Sequence, residues 1–194
     1  MHTLLFASNN THKADEIRRV LGDRFQILTL REAGIHLDIP EPHDTLEGNA
    51  REKSTTIHRI TGQDCFSEDS GLEVDALGGE PGVRSARYAG EGAAPSAHIE
   101  KLLRVMKGQS NRRARFRTVI SLIMGGQEYQ FTGTSEGLIL EVPSGTRGFG
   151  YDPVFEPTGA GKSFAEMQPE EKNRFSHRAR AMTKLIEFFD KMGI

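Results

Sequence analysis

The sequence predicts an α/β protein: a mixed β-sheet flanked by helices. Two observations carry that expectation. Runs with strand spacing and runs with helix spacing are interleaved along the chain, which favours helices packed on a sheet. One pair of strand-like runs is joined at Gly125-Gly126, a hairpin signal, so at least part of the sheet is antiparallel. The chain has 194 residues. That length buries a core without covalent staples and fits one domain spanning 1–194, or one domain split into two lobes by a cleft.

The elements follow in order. Thr3 to Ser8 reads as a short buried strand, broken at Ser8-Asn9-Asn10. From Thr11 to Leu21, the residues Ala14, Ile17, Val20 and Leu21 recur at helical spacing. Phe25 to Leu30 reads as a second strand. Pro40-Glu41-Pro42 is a stiff extended loop, since each proline fixes its own φ and restricts the residue before it. Asp44 followed by Glu47 resembles a capping box that opens a helix to about Ile60. Cys65 to Val74 reads as a strand, a turn at the acidic Glu68-Asp69-Ser70-Gly71, and another short strand. Gly78 to Gly92 is a long glycine-rich connection, of the kind that often carries function. Ala97 to Met106 is an amphipathic helix. Phe116 to Met124 and Glu128 to Thr134 form the hairpin, and Glu136 to Val142 reads as a further strand. The last helix starts with Ser176 as N-cap and buries Ala179, Met182, Leu185, Ile186 and Phe189.

Composition excludes several classes. Hydrophobic residues make up 36% and charged residues 27%, as in ordinary globular proteins. A net charge of −2 gives no global attraction for nucleic acid, so an anionic ligand needs a local patch of Lys, Arg and backbone N–H groups. The single cysteine, Cys65, sits in Asp64-Cys65-Phe66-Ser67 and reads as a buried structural thiol. No run approaches the roughly 18 apolar residues of a membrane span, and no leader pattern is visible. A cytoplasmic protein is the expectation, with no membrane partner.

Four segments carry chemistry. Ser8-Asn9-Asn10-Thr11-His12-Lys13 spans a strand end and the first turn of a helix. Helix N-termini present unpaired N–H groups and partial positive charge, so they accept phosphate. Glu68-Asp69 could hold Mg2+, which takes one or two protein carboxylates together with substrate phosphates; Glu41 on its stiff loop is a second ligand candidate. In Gly148-Phe149-Gly150-Tyr151-Asp152-Pro153 the glycines allow close backbone approach, Phe149 offers a stacking face and Asp152 offers acceptors. Lys172 offers a phosphate partner. His177 and Arg178 fall in the first turn of the last helix, where cations oppose the helix dipole, so an anionic group or an acceptor-rich base is expected beside them. A basic run, Arg112, Arg113, Arg115 and Arg117, puts Arg115 and Arg117 on one strand face. Without an aromatic ladder it reads as a solvated face rather than a nucleic-acid site.

Taken together the segments SNNTHK (8–13), EGNAREKS (47–54), EDSGLEVDALGGEPGVRSARYAG (68–90), GFGYDPVF (148–155) and AEMQPEEKNRFSHRARA (165–181) resemble the inosine triphosphate pyrophosphatase family, in family order and over nearly the whole chain. A bacterial member is the nearest likeness. The resemblance implies an elongated two-lobed α/β fold with a central active-site cleft, a homodimer and Mg2+. It implies a purine nucleoside triphosphate substrate held by Ser8, Asn9, Asn10, Thr11, His12 and Lys13, with Lys53 and Lys172 nearby. Asp69 would be the general base and a metal ligand, Glu41 the other ligand, and Ser70 a nucleotide contact. Phe149, Gly150, Tyr151 and Asp152, with His177 and Arg178, would form the base pocket. Glu68 stands where many members carry a second Asp.

The activity so implied is hydrolysis of inosine, deoxyinosine and xanthosine triphosphates to the monophosphate and pyrophosphate, by water attack at the α-phosphorus. Selection would rest on position 6 of the purine, an acceptor in these bases and a donor in adenine, facing the donor-only Arg178. Two other readings remain: a pyrophosphatase for modified pyrimidine triphosphates, and a nucleotide or single-strand binding module using the Arg112–Arg117 face. A substrate panel separates the first, metal-dependent pyrophosphate release the second.

Overall fold

The computed structural model describes residues 2–194. Leu4, Leu5 and Phe6 are all buried, on both faces of strand β1 (His2–Phe6), so its backbone N–H and C=O groups need a partner on each edge. It finds them in β2 (Phe25–Thr29) and β3 (Cys65–Val74), both parallel to it. The sheet runs in the order β2-β1-β3-β5-β6-β7, with β4 (Pro81–Gly82) antiparallel on β3. β5 (Arg113–Met124) and β6 (Gln127–Ile139) are neighbours joined at Gly125-Gly126, both at positive φ, and β7 (Phe155–Pro157) pairs antiparallel with β6. The expected mixed sheet flanked by helices is what forms: α1 (Thr11–Leu21), α2 (Leu46–Thr61), α3 (Pro95–Val105), α4 (Pro169–Phe175) and α5 (His177–Met192).

Three local expectations are corrected. Cys65 to Val74 is one continuous strand with no turn, so Glu68 and Asp69 lie mid-strand rather than at a strand end. Gly71 permits the close approach of β4, because a Cβ there would run into the Gly82 carbonyl. Helix α2 is capped one residue later than expected, by Thr45, whose hydroxyl accepts from the Gly48 N–H. Glu136 to Ile139 continues β6 instead of opening a new strand, while α4 and β7 had no clear periodic signal.

The chain divides into two compact units. The first comprises the residues up to Asp69, Thr118–Gly133 and Arg178–Ile194; the second comprises Ser70–Arg117 and Thr134–His177. Each has its own core. In the first, Ile17 of α1, Phe66 of β3, Ile120 of β5 and Leu185 and Phe189 of α5 are fully buried together. In the second, Leu72, Leu102, Val154, Phe155 and Phe164 are. At about 1.5–3 kcal/mol for each such side chain, burial is the main force holding either unit.

Candidate active site

Successive side chains of a strand point to opposite faces, so the neighbours Glu68 and Asp69 of β3 meet different partners. Glu68 is gripped by Arg178, the first residue after the start of α5: Nε donates to Oε2 at 2.5 Å and Nη2 to Oε1 at 2.7 Å. Lys13 of α1 adds a third contact, 3.1 Å from Oε1. Arg178 Nη1 also pairs with Glu16 of α1. The group expected to offset an arginine at a helix N-terminus is therefore a pair of carboxylates. Arg178 is 2% exposed, and burial works against its charge, but Glu68 and then Glu16 more than offset this and raise its pKa.

Asp69, on the other face, is held by Lys53 and Asn49 of α2. The Lys53 ammonium reaches Glu41 Oε1 at 2.7 Å, the Glu68 carbonyl at 2.8 Å and Asp69 Oδ1 at 3.4 Å. One buried ammonium thus touches both carboxylates singled out in the sequence as ligands. Burial disfavours the charge of Lys53, yet Asp69 and Glu41 outweigh it and its pKa is raised. Asp69 is itself raised: burial dominates over the lowering by Lys53 and Lys13 and is reinforced by Glu41. Lys53, expected near the phosphates, spends its three N–H groups on these oxygens.

At the start of α1, Asn10 is the N-cap, its side chain accepting from the Lys13 N–H at 3.1 Å. Ser8 Oγ accepts from the Asn10 N–H at 3.1 Å, so both residues shape the turn. Asn9 turns to the following loop and accepts from the Arg31 N–H at 2.8 Å. Thr11 and His12 are exposed, and Lys13 is half-buried.

In the second unit, the loop at Gly148-Phe149-Gly150 is folded around Asp152. That carboxylate is buried and accepts from the Phe149 N–H at 2.9 Å and from Lys172 Nζ at 2.6 Å. Gly148 has φ +76°, and a Cβ on it would collide with Asp152 Oδ2, so no other residue fits. Lys172 Nζ also lies 5.1 Å from the Phe149 ring centroid and 5.3 Å from that of Phe164. Phe149 is half-buried and Gly150 exposed, while Tyr151 is buried and ties its hydroxyl to the Ser85 carbonyl at 2.9 Å. His177 stacks on Phe116 with centroids 4.7 Å apart and 12° between planes. Ser70 is half-buried at the unit's first position. The basic run is engaged by the protein: Arg112 donates to the Ile139 and Leu140 carbonyls, Arg115 pairs with Asp75 at 2.6 Å, and Arg117 with Glu73 at 3.0 Å.

The sequence profile of the Ham1 family matches residues 4–188. The chain belongs to that family. A Porphyromonas gingivalis protein named dITP/XTP pyrophosphatase is 49% identical over 189 residues, 97% of each chain. A Flavobacterium johnsoniae protein of the same name is 48% identical over 184 residues, 95% of this chain and 96% of the relative. Among solved structures, the Ham1 protein of Staphylococcus aureus superposes with a TM-score of 0.89 at 37% identity, covering 98% of this chain and 99% of the other. A HAM1 protein from Coxiella burnetii gives 0.90 at 34% identity, covering 98% and 100%.

Glu41 and Asp69 supply hard oxygens and lie within 3.4 Å of one ammonium nitrogen, so the two carboxylates already share a single cationic partner. Among the described residues no group of three His, Cys, Asp or Glu is placed to hold a metal. The pair Glu41 and Asp69 matches the one or two protein carboxylates that Mg2+ takes, its shell being completed by phosphate oxygens and water. Sequence reasoning missed Glu16 and Asn49. The buried Arg178 needed a second carboxylate, and Glu16, a polar residue on the first helix, carried no signal of it. Asn49 lay inside EGNAREKS, where only Lys53 was singled out.

Proposed function

We infer that the chain hydrolyses non-standard purine nucleoside triphosphates, of the inosine, deoxyinosine and xanthosine type, to the monophosphate and pyrophosphate. The observation that carries this reading is the carboxylate pair of half-buried Glu41 and buried Asp69 gathered on Lys53, in a chain nearly half identical to proteins named dITP/XTP pyrophosphatase. In this reading Asp69 takes the proton of the attacking water. General-base help of this kind is worth roughly 10²–10⁴-fold. Glu68, held by two cations, keeps Arg178 and Lys13 in place. Lys13 and the N–H groups at the start of α1, shaped by Ser8, Asn9 and Asn10 and flanked by Thr11 and His12, bind the triphosphate, and Lys53 and Lys172 balance charge on the leaving pyrophosphate. Phe149 stacks on the base, Gly150, Tyr151, Asp152 and His177 shape its pocket, Ser70 contacts the nucleotide, and Arg178 donates to the 6-oxo group from within its carboxylate cluster. Mg2+, held by Glu41 and Asp69, would neutralise phosphate charge and lower the pKa of water. The enzyme acts as a homodimer in the cytoplasm.

The test is a panel of nucleoside triphosphates incubated with Mg2+, with the phosphate product identified. Pyrophosphate from inosine and xanthosine triphosphates, with adenosine triphosphate near background, is the expected result. Orthophosphate as the product, or equal rates on modified pyrimidine triphosphates, overturns it.

A further inference from the structure

Asn49 is 0% exposed on the first turn of α2, and its side chain joins two segments of the first unit. Its Oδ1 accepts from the His43 N–H at 2.9 Å, and its Nδ2 donates to the His43 carbonyl at 3.2 Å. A backbone N–H can only donate and a carbonyl only accept, so this pair of bonds fixes which end of the amide is which. The second N–H of Nδ2 is thereby aimed at Asp69 Oδ2, 3.3 Å away. His43 lies two residues after Glu41, in the loop with Pro40 and Pro42, which carries no regular structure. That loop also lies close on the start of α2. A Cβ on Gly48 would stand 2.8 Å from the His43 Cβ, so only a glycine leaves room for it. Neighbouring residues of α2 thus do complementary work: Gly48 makes the space, and Asn49 makes the bonds.

We propose that Asn49 is the positioning residue of the acidic pair: it clamps the Glu41-bearing loop through His43 and orients Asp69 at the same time, so that the two carboxylates face one cation together. An asparagine suits the task because a buried aspartate would repel Asp69, whereas a neutral amide supplies two donors and an acceptor without charge. The proposal rests on the reading of Glu41 and Asp69 given above, and its consequences are separable from that reading. Groups that orient metal ligands typically change metal affinity or activity by about 10–100-fold when removed.

The experiment uses Asn49→Ala, Asn49→Asp, Glu41→Gln, Asp69→Asn and the double variant Asn49→Ala/Glu41→Gln, assayed for pyrophosphate release from inosine triphosphate across Mg2+ concentrations. The Asn49 variants are expected to raise the Mg2+ concentration for half-maximal rate about tenfold or more. The double variant should lose less than the two single losses combined, because the loop clamp no longer matters once Glu41 is gone while the bond to Asp69 still does. A readout free of turnover is the rise in Tm that Mg2+ produces with an α,β-imido analogue of the substrate, which should shrink in both Asn49 variants. A merely structural asparagine would lower Tm without ligand and leave the Mg2+ dependence alone. Should Asn49→Ala fail to fold, the small and uncharged Asn49→Ser carries the same measurements. Half-maximal Mg2+ within about twofold of wild type, or additive losses in the double variant, overturns the role of Asn49 while Asp69→Asn stays inactive. An active Asp69→Asn removes the underlying reading, and the proposal falls with it.

Discussion

Glu68 and Asp69 sit side by side on β3, and their partners separate their work. Both Glu68 oxygens are bound by Arg178 at 2.5 and 2.7 Å, whereas Asp69 has longer contacts of 3.3 and 3.4 Å. Asp69→Asn is expected to lose at least about 10²-fold in rate with Tm unchanged or raised, since it removes a charge that burial disfavours. Glu68→Gln should do the reverse in stability, because it leaves Arg178 less well matched; breaking a buried pair costs about 3–5 kcal/mol. Rates and melting curves of the two variants check this, and a Glu68→Gln protein with wild-type Tm would show that the ion cluster is not what holds it. Arg178→Ala should likewise destabilise by about 3–5 kcal/mol, through the carboxylate of Glu68 left buried without its main partner. The base-reading role is then best tested with Arg178→Lys, which keeps the charge but loses the fork. A collapse in the ratio of inosine to adenosine triphosphate kcat/KM supports that role, and equal losses on both substrates assign Arg178 to the scaffold. Glu68, Arg178 and Lys13 of this cluster were legible as types and positions in the sequence, and Glu16 was not. Their pairing was not, because Glu68 and Arg178 lie 110 residues apart and only the fold brings them together.

At the scale of elements, β3 shows why an acidic string misleads. Glu68-Asp69-Ser70-Gly71 has turn composition, and it forms a strand because Arg178, Lys13, Lys53 and Asn49 satisfy its carboxylates. The apolar periodicity of α1, α3 and α5 was legible, since a single buried stripe repeats at 3.6 residues. β7 and α4, of three and seven residues, are too short to show a period. The glycine of the string has a packing role that can be measured. Gly71→Ala would push a methyl group into the Gly82 carbonyl of β4, and overpacking costs about 1–3 kcal/mol, to be read from chemical denaturation. No loss of stability in that variant would show that β4 moves aside freely. Cys65, at the start of the same strand, gives a pH-dependent readout. Burial first, and the charge of Asp64 second, push its thiol from 9.0 up to about 12. Between those values the folded chain keeps a proton that the unfolded chain releases, so this group's contribution to stability is present below about 9 and declines as pH rises toward 12. Native protein should resist iodoacetamide at about pH 8 and react only as fast as it opens. Rapid alkylation without loss of structure would contradict the burial.

Over the whole molecule, the separate cores of the two units raise the question of whether the units melt together. A chain of this length often populates intermediates, and each core alone would suffice for a small domain. The strands argue for a single transition. β3 places Phe66 in the first core and Leu72 and Val74 in the second. β5 does the same with Ile120 and Leu122 on one side and Ala114 and Phe116 on the other. The chain passes from one unit to the other within β3, β5 and β6 and at the start of α5, with no linker between. Melting one core would therefore release half of each of three strands from a sheet whose other half must stay ordered. Ile17→Ala in the first core and Leu102→Ala in the second, both fully buried, should each cost about 2–5 kcal/mol. Both should shift one endotherm to lower temperature, with calorimetric and van't Hoff enthalpies remaining equal. Scanning calorimetry of the two variants and the wild type decides the matter. If Leu102→Ala split the endotherm and left an upper transition at the wild-type temperature, the units would fold independently, and the shared strands would be covalent connections without energetic coupling.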